Sequence, residues 1–159
     1  MVVHEVRDVH RPSPGDLSRG YATPHPSADR WIKAKDFKHS SRGIGAEVSE
    51  WQGDPDRGWK LDLELLKSLL TDRTKVVVVN FPHNPTGFLP TQNFVRELSI
   101  VSEHHGFIIF SDEVYRGLEL NPDDRLPALV EINDKAVSLG VMSKTYGLAG
   151  LRIGWIATG

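Results

Sequence analysis

Asp112 stands where the apolar run Gly106-Phe107-Ile108-Ile109-Phe110 should end as a buried strand, and Tyr115 follows three residues on. A carboxylate in such a place is costly unless something offsets its charge. Four more polar residues occupy similar loops: Asn84 within Asn84-Pro85-Thr86-Gly87, Ser143 and Lys144 side by side, and Arg152 eight residues after the lysine. Taken singly, each has an ordinary explanation. Asn, Pro and Gly form turns for steric reasons, an aspartate can cap a helix, a tyrosine can pack its ring and keep its hydroxyl wet, and a lysine or arginine usually sits at the surface. Together, Asn84, Asp112, Tyr115, Lys144 and Arg152 suit one chemical task. A buried carboxylate keeps a proton on a ring nitrogen, an amide and a phenol donate to a phenolate oxygen, an amine adds to an aldehyde, and a guanidinium grips a phosphate.

The elements that must position these residues are legible after Gly43. Gly45 to Trp51 ends with period 2 and predicts a half-buried strand. Asp62 is a good N-cap for a helix with Leu63, Leu65, Leu66, Leu69 and Leu70 along one stripe. Lys75-Val76-Val77-Val78-Val79-Asn80 is a β-branched run of the kind covered on both faces. Thr91 predicts the start of a second helix, with Phe94, Leu98 and Val101 on one side and an end near His105-Gly106. Phe107 to Phe110, Ala136 to Leu139 and Ile153 to Ala157 read as further strands. Strands covered on both faces and separated by amphipathic helices predict an α/β domain with a mostly parallel sheet and flanking helices. Such sheets carry their sites in loops beyond the carboxyl ends of the strands, which is where Asn84, Asp112, Tyr115 and Lys144 fall.

Composition narrows the function classes. The chain has 159 residues, a net charge of −2 spread over both signs, and no cysteine. That balance gives no general field for nucleic acid or an anionic membrane, and the missing thiols remove disulfides, thiolate metal sites and a cysteine nucleophile. A reducing compartment, by default the cytoplasm, is expected. No apolar stretch approaches the roughly 20 residues of a membrane span, and Met1 to His10 lacks the apolar core of a secretory signal. The histidine pair His104-His105 suits a helix C-terminus better than a metal, so no metal site is expected.

Residues 1–43 differ from the rest. They hold four of the seven histidines, Pro12, Pro14, Pro24 and Pro26, and no sustained period. They are expected to be a poorly ordered or non-homologous leader, with Trp31, Ile32 and Phe37 forming at most a short helical turn.

From about Ile44 to Gly159 the sequence resembles the large-domain core of the pyridoxal-phosphate aminotransferases of class I/II, the aspartate-aminotransferase-like fold. Three stretches carry the resemblance in order: Asn80-Phe81-Pro82-His83-Asn84-Pro85-Thr86-Gly87, Ser111-Asp112-Glu113-Val114-Tyr115, and Met142 through Trp155 with Ser143-Lys144 and Arg152-Ile153-Gly154. The resemblance implies pyridoxal 5'-phosphate as cofactor, Lys144 as the Schiff-base lysine, and Asp112 as partner of the ring nitrogen. It implies Asn84 and Tyr115 as donors to the ring oxygen, Ser143 and Arg152 at the phosphate, and a cis peptide before Pro85. It also implies small-molecule amino acid and 2-oxo acid substrates, and a protein that is usually homodimeric.

The sequence departs from that pattern in two ways. Val141 stands where many relatives place a serine that meets the phosphate. The family's earlier glycine-rich turn, its ring-stacking aromatic residue and its substrate-binding small domain have no counterpart in the 159 residues, so residues 44–159 are expected to form an incomplete large domain. Its central strands are expected to lose neighbours on both sides, leaving a loosely folded or poorly soluble fragment. Transamination is the first reading, a same-fold lyase, cyclase or decarboxylase the second, and an inactive truncated remnant the third, because the retained residues serve any carbanion stabilised at Cα.

Overall fold

A computed structural model of the chain describes residues 2–5, 30–33 and 47–159. Seven strands among them form a single sheet: β1 (Val2–Glu5), β2 (Arg30–Lys33), β3 (Glu47–Glu50), β4 (Thr74–Asn80), β5 (Ile108–Asp112), β6 (Val137–Val141) and β7 (Gly154–Thr158). Their order across the sheet is β1-β7-β6-β5-β4-β2-β3. The block from β3 to β6 is parallel, β7 runs antiparallel to β6, and β1 antiparallel to β7. The α/β class and the mostly parallel sheet are therefore as expected.

Of residues 1–43 only β1 and β2 are described, and the rest of the proposed leader lies outside the described residues. Trp31 and Ile32, which with Phe37 suggested at most a short helical turn, belong to a strand, Arg30–Lys33, lying between β3 and β4; Phe37 lies outside the described residues. With β2 on one side and β7 with β1 on the other, β4, β5 and β6 each have neighbours on both sides, where the sequence suggested that central strands would lose them. The reason is topological: parallel neighbours are set by crossovers between distant segments, so a four-residue run can complete a sheet without announcing itself locally.

The helices form where their caps place them. In α1 (Leu63–Leu69) the Asp62 carboxylate accepts the Glu64 N–H at 2.8 Å. In α2 (Gln92–His105) the Thr91 hydroxyl accepts the Phe94 N–H at 3.2 Å. Gly106 ends α2 at φ 76°, a left-handed position that favours glycine, and its N–H donates to the Ser102 carbonyl at 2.8 Å. Both helices share one core with the sheet: Leu66 from α1, Val95, Leu98 and Val101 from α2, and Val77, Val79 and Ile109 from the strands, with Trp51, Phe81 and Phe107 around them. Each such side chain contributes roughly 1.5–3 kcal/mol of burial. No helix among the described residues is long and apolar enough to cross a membrane.

Two features of the sheet matter for the site. First, β4 and β5 are aligned so that their last residues, Asn80 and Asp112, are partners. Side chains alternate between faces, so Ile109 and Ser111 turn to the core while Asp112 turns the other way. Ser111 is fully buried, and its hydroxyl has no hydrogen-bond partner.

Second, β6 and β7 meet at Gly140 opposite Trp155, whose indole lies flat where a side chain would be. A Cβ at Gly140 would come within 2.3 Å of two indole ring carbons. Gly140→Ala is accordingly expected to destabilise the chain by about 1–3 kcal/mol, the usual cost of overpacking, measurable as a drop in the urea midpoint. An unchanged midpoint would show that the indole moves aside freely.

Candidate active site

Three loops reach one corner of the sheet, each continuing the carboxyl end of a neighbouring strand. The loop after β4 is drawn to β5 by Asn80, whose Nδ2 donates to the Asp112 carbonyl at 2.8 Å and whose Oδ1 accepts the Asn84 N–H at 3.2 Å. Within that loop the Phe81-Pro82 and Asn84-Pro85 peptides are both cis. The His83 ring and the Thr86 hydroxyl lie 2.7 Å apart, and the His83 carbonyl accepts the Gly87 N–H at 2.7 Å.

The loop after β5 is a tight turn. Its backbone closes through Arg116 N–H to Glu113 carbonyl at 2.9 Å and Leu118 N–H to Tyr115 carbonyl at 3.1 Å. Glu113 anchors it from the core side, where its Oε1 accepts the Ser138 hydroxyl at 2.7 Å and the Leu129 N–H at 2.8 Å. Tyr115 thereby points to the Asn84 side chain, and the amide Nδ2 donates to its hydroxyl oxygen at 2.8 Å. The hydroxyl keeps its own proton free for a third group.

The loop after β6 carries the lysine and is the connection of the β6–β7 pair. Met142 N–H donates to the Ile153 carbonyl at 3.0 Å, Leu148 N–H to the Met142 carbonyl at 3.0 Å, and Gly147 N–H to the Lys144 carbonyl at 3.0 Å. Lys144 Nζ stands 5.5 Å from the centre of the Tyr115 ring.

Asp112 is half-buried at the end of β5. Burial raises its carboxyl above the ordinary aspartate value, while the Val114 N–H, donating at 3.3 Å, pulls the other way. A carboxylate desolvated to this degree favours a cationic partner, since opposite charge restores what burial removed.

The structure thus brings Asn84, Asp112, Tyr115 and Lys144 to one corner. Ser143 is half-buried beside the lysine. Arg152 lies farther round the loop at φ 54°, exposed, and among the described residues makes no ion pair. Val141 ends β6 and offers no side-chain donor. Asn80, Glu113 and Thr145, which tie the loops together, had no role assigned from the sequence. Asn80 was detectable in principle as the polar end of an otherwise β-branched run; the others give no spacing signal.

The pattern of the family described as aminotransferase class I and II matches residues 35–158, the stretch that holds this corner. The chain belongs to that family. Among similar proteins, this aminotransferase-family chain is 35% identical over 134 residues to capreomycidine synthase of Streptomyces vinaceus, covering 80% of this chain and 33% of that one. It is 31% identical over 101 residues to kynurenine–oxoglutarate transaminase of Dictyostelium discoideum, covering 61% and 23%. Among solved structures, a PLP-dependent aminotransferase from Streptococcus suis superposes with a TM-score of 0.76 at 34% identity, covering 83% of this chain and 36% of that one. The chain spans about a third or less of the length of the relatives it matches.

The residues present fit pyridoxal phosphate by the chemistry of their donors. The free tyrosine proton, the primary amine and the desolvated carboxylate are the three groups that the ring end of that cofactor needs.

Proposed function

We propose that this chain forms the lysine-bearing part of a pyridoxal-phosphate site, and that the whole protein moves an amino group between an amino acid and a 2-oxo acid. The observation that carries the reading is the convergence of Asn84, Tyr115 and Lys144 beyond the end of the strand that closes on Asp112. When bound, pyridoxal phosphate supplies an aldehyde that takes up an amine and a ring that draws electrons from the carbon bearing it. Lys144 Nζ would hold the cofactor by its amine and would be the group able to carry a proton at the reacting carbon. Asp112 would hold the proton at the ring nitrogen. Tyr115 and Asn84 would donate to the ring oxygen, and Ser143 and Arg152 would take the phosphate, the latter with a planar fork suited to two oxygens.

Tyr115→Phe isolates one of these contacts. It removes the free phenolic proton and leaves Asn84 Nδ2 without its acceptor. Pyridoxal-phosphate affinity is expected to fall about threefold to tenfold, the worth of one net hydrogen bond, in a fluorescence titration; an unchanged affinity would remove Tyr115 from the site.

A second reading has its own support in the likeness to a protein named a synthase, capreomycidine synthase. On that reading the same residues serve elimination or ring closure at the substrate rather than amino transfer. Product analysis separates the two. The cofactor-loaded protein is offered a panel of amino acids with a 2-oxo acid acceptor. New 2-oxo acid matched to new amino acid supports transfer; consumption of amino acid without it supports the second reading.

A further inference from the structure

Thr145 follows the lysine and faces away from it toward the Tyr115 turn. Its hydroxyl donates to the Arg116 carbonyl at 2.7 Å, with the Val114 carbonyl also within reach at 3.4 Å. Both carbonyls belong to the turn that begins at Asp112 and contains Tyr115. The approach is close on the methyl side as well. Gly117 has φ 96°, and a Cβ there would come within 2.8 Å of Thr145 Cγ2. Among the described residues no other hydrogen bond joins residues 113–118 to the lysine loop 142–153. That loop is otherwise hydrogen-bonded within itself, with the Tyr146 ring 6.1 Å from that of Trp155 on β7.

We propose that Thr145 is a positioning residue, which sets where Lys144 Nζ stands relative to Tyr115 and Asp112. This rests on the cofactor reading above. A lysine amine on a four-carbon stem has wide freedom, and Lys144 is exposed, so packing of its own side chain does little to restrict it. What remains is the position of its backbone. The Thr145 hydroxyl fixes that position against the turn carrying the cofactor's other partners. A misplacement of about 1 Å at a reacting group can cost about a hundredfold in rate, so one hydroxyl at this hinge has more leverage than its own bond energy suggests. Gly117 contributes by leaving room for the methyl.

The test separates positioning from simple stabilisation. The full chain, Thr145→Val, Thr145→Ser, Lys144→Ala and Ser102→Ala are titrated with pyridoxal phosphate and reduced with borohydride. The fraction of residue 144 modified is read by peptide mass, and melting temperatures are recorded without cofactor. Ser102→Ala is the stability control, since its hydroxyl donates to the Phe107 carbonyl at 2.6 Å at the other end of β5.

Thr145→Val is expected to raise the half-saturating cofactor concentration about tenfold. Thr145→Ser should stay within about twofold of the unaltered chain, and Ser102→Ala should label normally despite a lower melting temperature. Normal labelling of Thr145→Val, or a loss of labelling in Ser102→Ala equal to it, overturns the positioning role and leaves the cofactor reading intact. If the unaltered chain is not labelled at Lys144, both fall.

Discussion

Lys144→Ala is expected to abolish covalent capture of pyridoxal phosphate and to lower any turnover of the loaded protein by about 10²–10⁴-fold or more, the range that a positioned proton-transfer group supplies. The expectation follows from what surrounds the amine. Lys144 makes no ion pair among the described residues, so its Nζ is free to react, and it stands 5.5 Å from the centre of the Tyr115 ring. Because the side chain is exposed, the substitution should leave stability within about 0.5 kcal/mol of the original. Loss of function without loss of fold is the diagnostic pair. Borohydride trapping and a melting curve on the same preparation would show it. Capture that persists in the variant would move the chemistry to another lysine and end the reading proposed above.

Asp112→Asn should give the second large effect, with opposite signs for stability and for activity. Asparagine keeps an oxygen to accept the Val114 N–H, so the turn is preserved. Its neutral amide cannot hold a proton on the ring nitrogen, and activity should fall by about 10²–10³-fold, the scale of losing one aimed electrostatic group.

Stability should move the other way. Burial raises the Asp112 carboxyl in the folded chain above its value of 3.8 in the unfolded chain. The folded state therefore binds this proton more tightly, and the favourable contribution is fully present below the unfolded value and lost as pH rises through the raised one. At neutral pH the ionised carboxylate is a liability that the asparagine variant lacks. The variant should melt higher than the original at neutral pH, and the gap should close as pH falls toward 3.8. A variant that instead melts lower than the original at neutral pH would mean that Asp112 is stabilised by an unrecognised cation. A trade of stability for function of this kind is what active-site groups commonly show.

How much of this was legible depends on whether the signal was local. Asp62, Thr91 and Gly106 announce the helix ends because capping is decided within a few residues, and the structure has each where its type required. The valine run of β4 and the apolar run before Asp112 are legible because burial on both faces leaves no polar alternation. The pairing of Asn84 with Tyr115 was legible only through the resemblance, since nothing in 31 residues of separation foretells a 2.8 Å contact. β2 was missed because four residues carry no period. Thr145 was missed because a hydroxyl that bonds a distant carbonyl looks like any other loop threonine.

The shared end of β4 and β5 has a consequence for how such a chain tolerates insertions and deletions. The connection beyond the Tyr115 turn, such as 119–128, can change length while Asp112 stays opposite Asn80, because the alignment is set inside the strands. A single residue added or lost within 108–112 is different in kind. It would exchange the faces of Asp112 and Ser111, driving the carboxylate into the side of the sheet where even a hydroxyl finds no partner, and leaving an alcohol on the other face. Length variation should therefore be refused at 108–112 and in the turn 113–118 that follows, and be tolerated only farther along the connection, a boundary that scanning insertions would locate residue by residue.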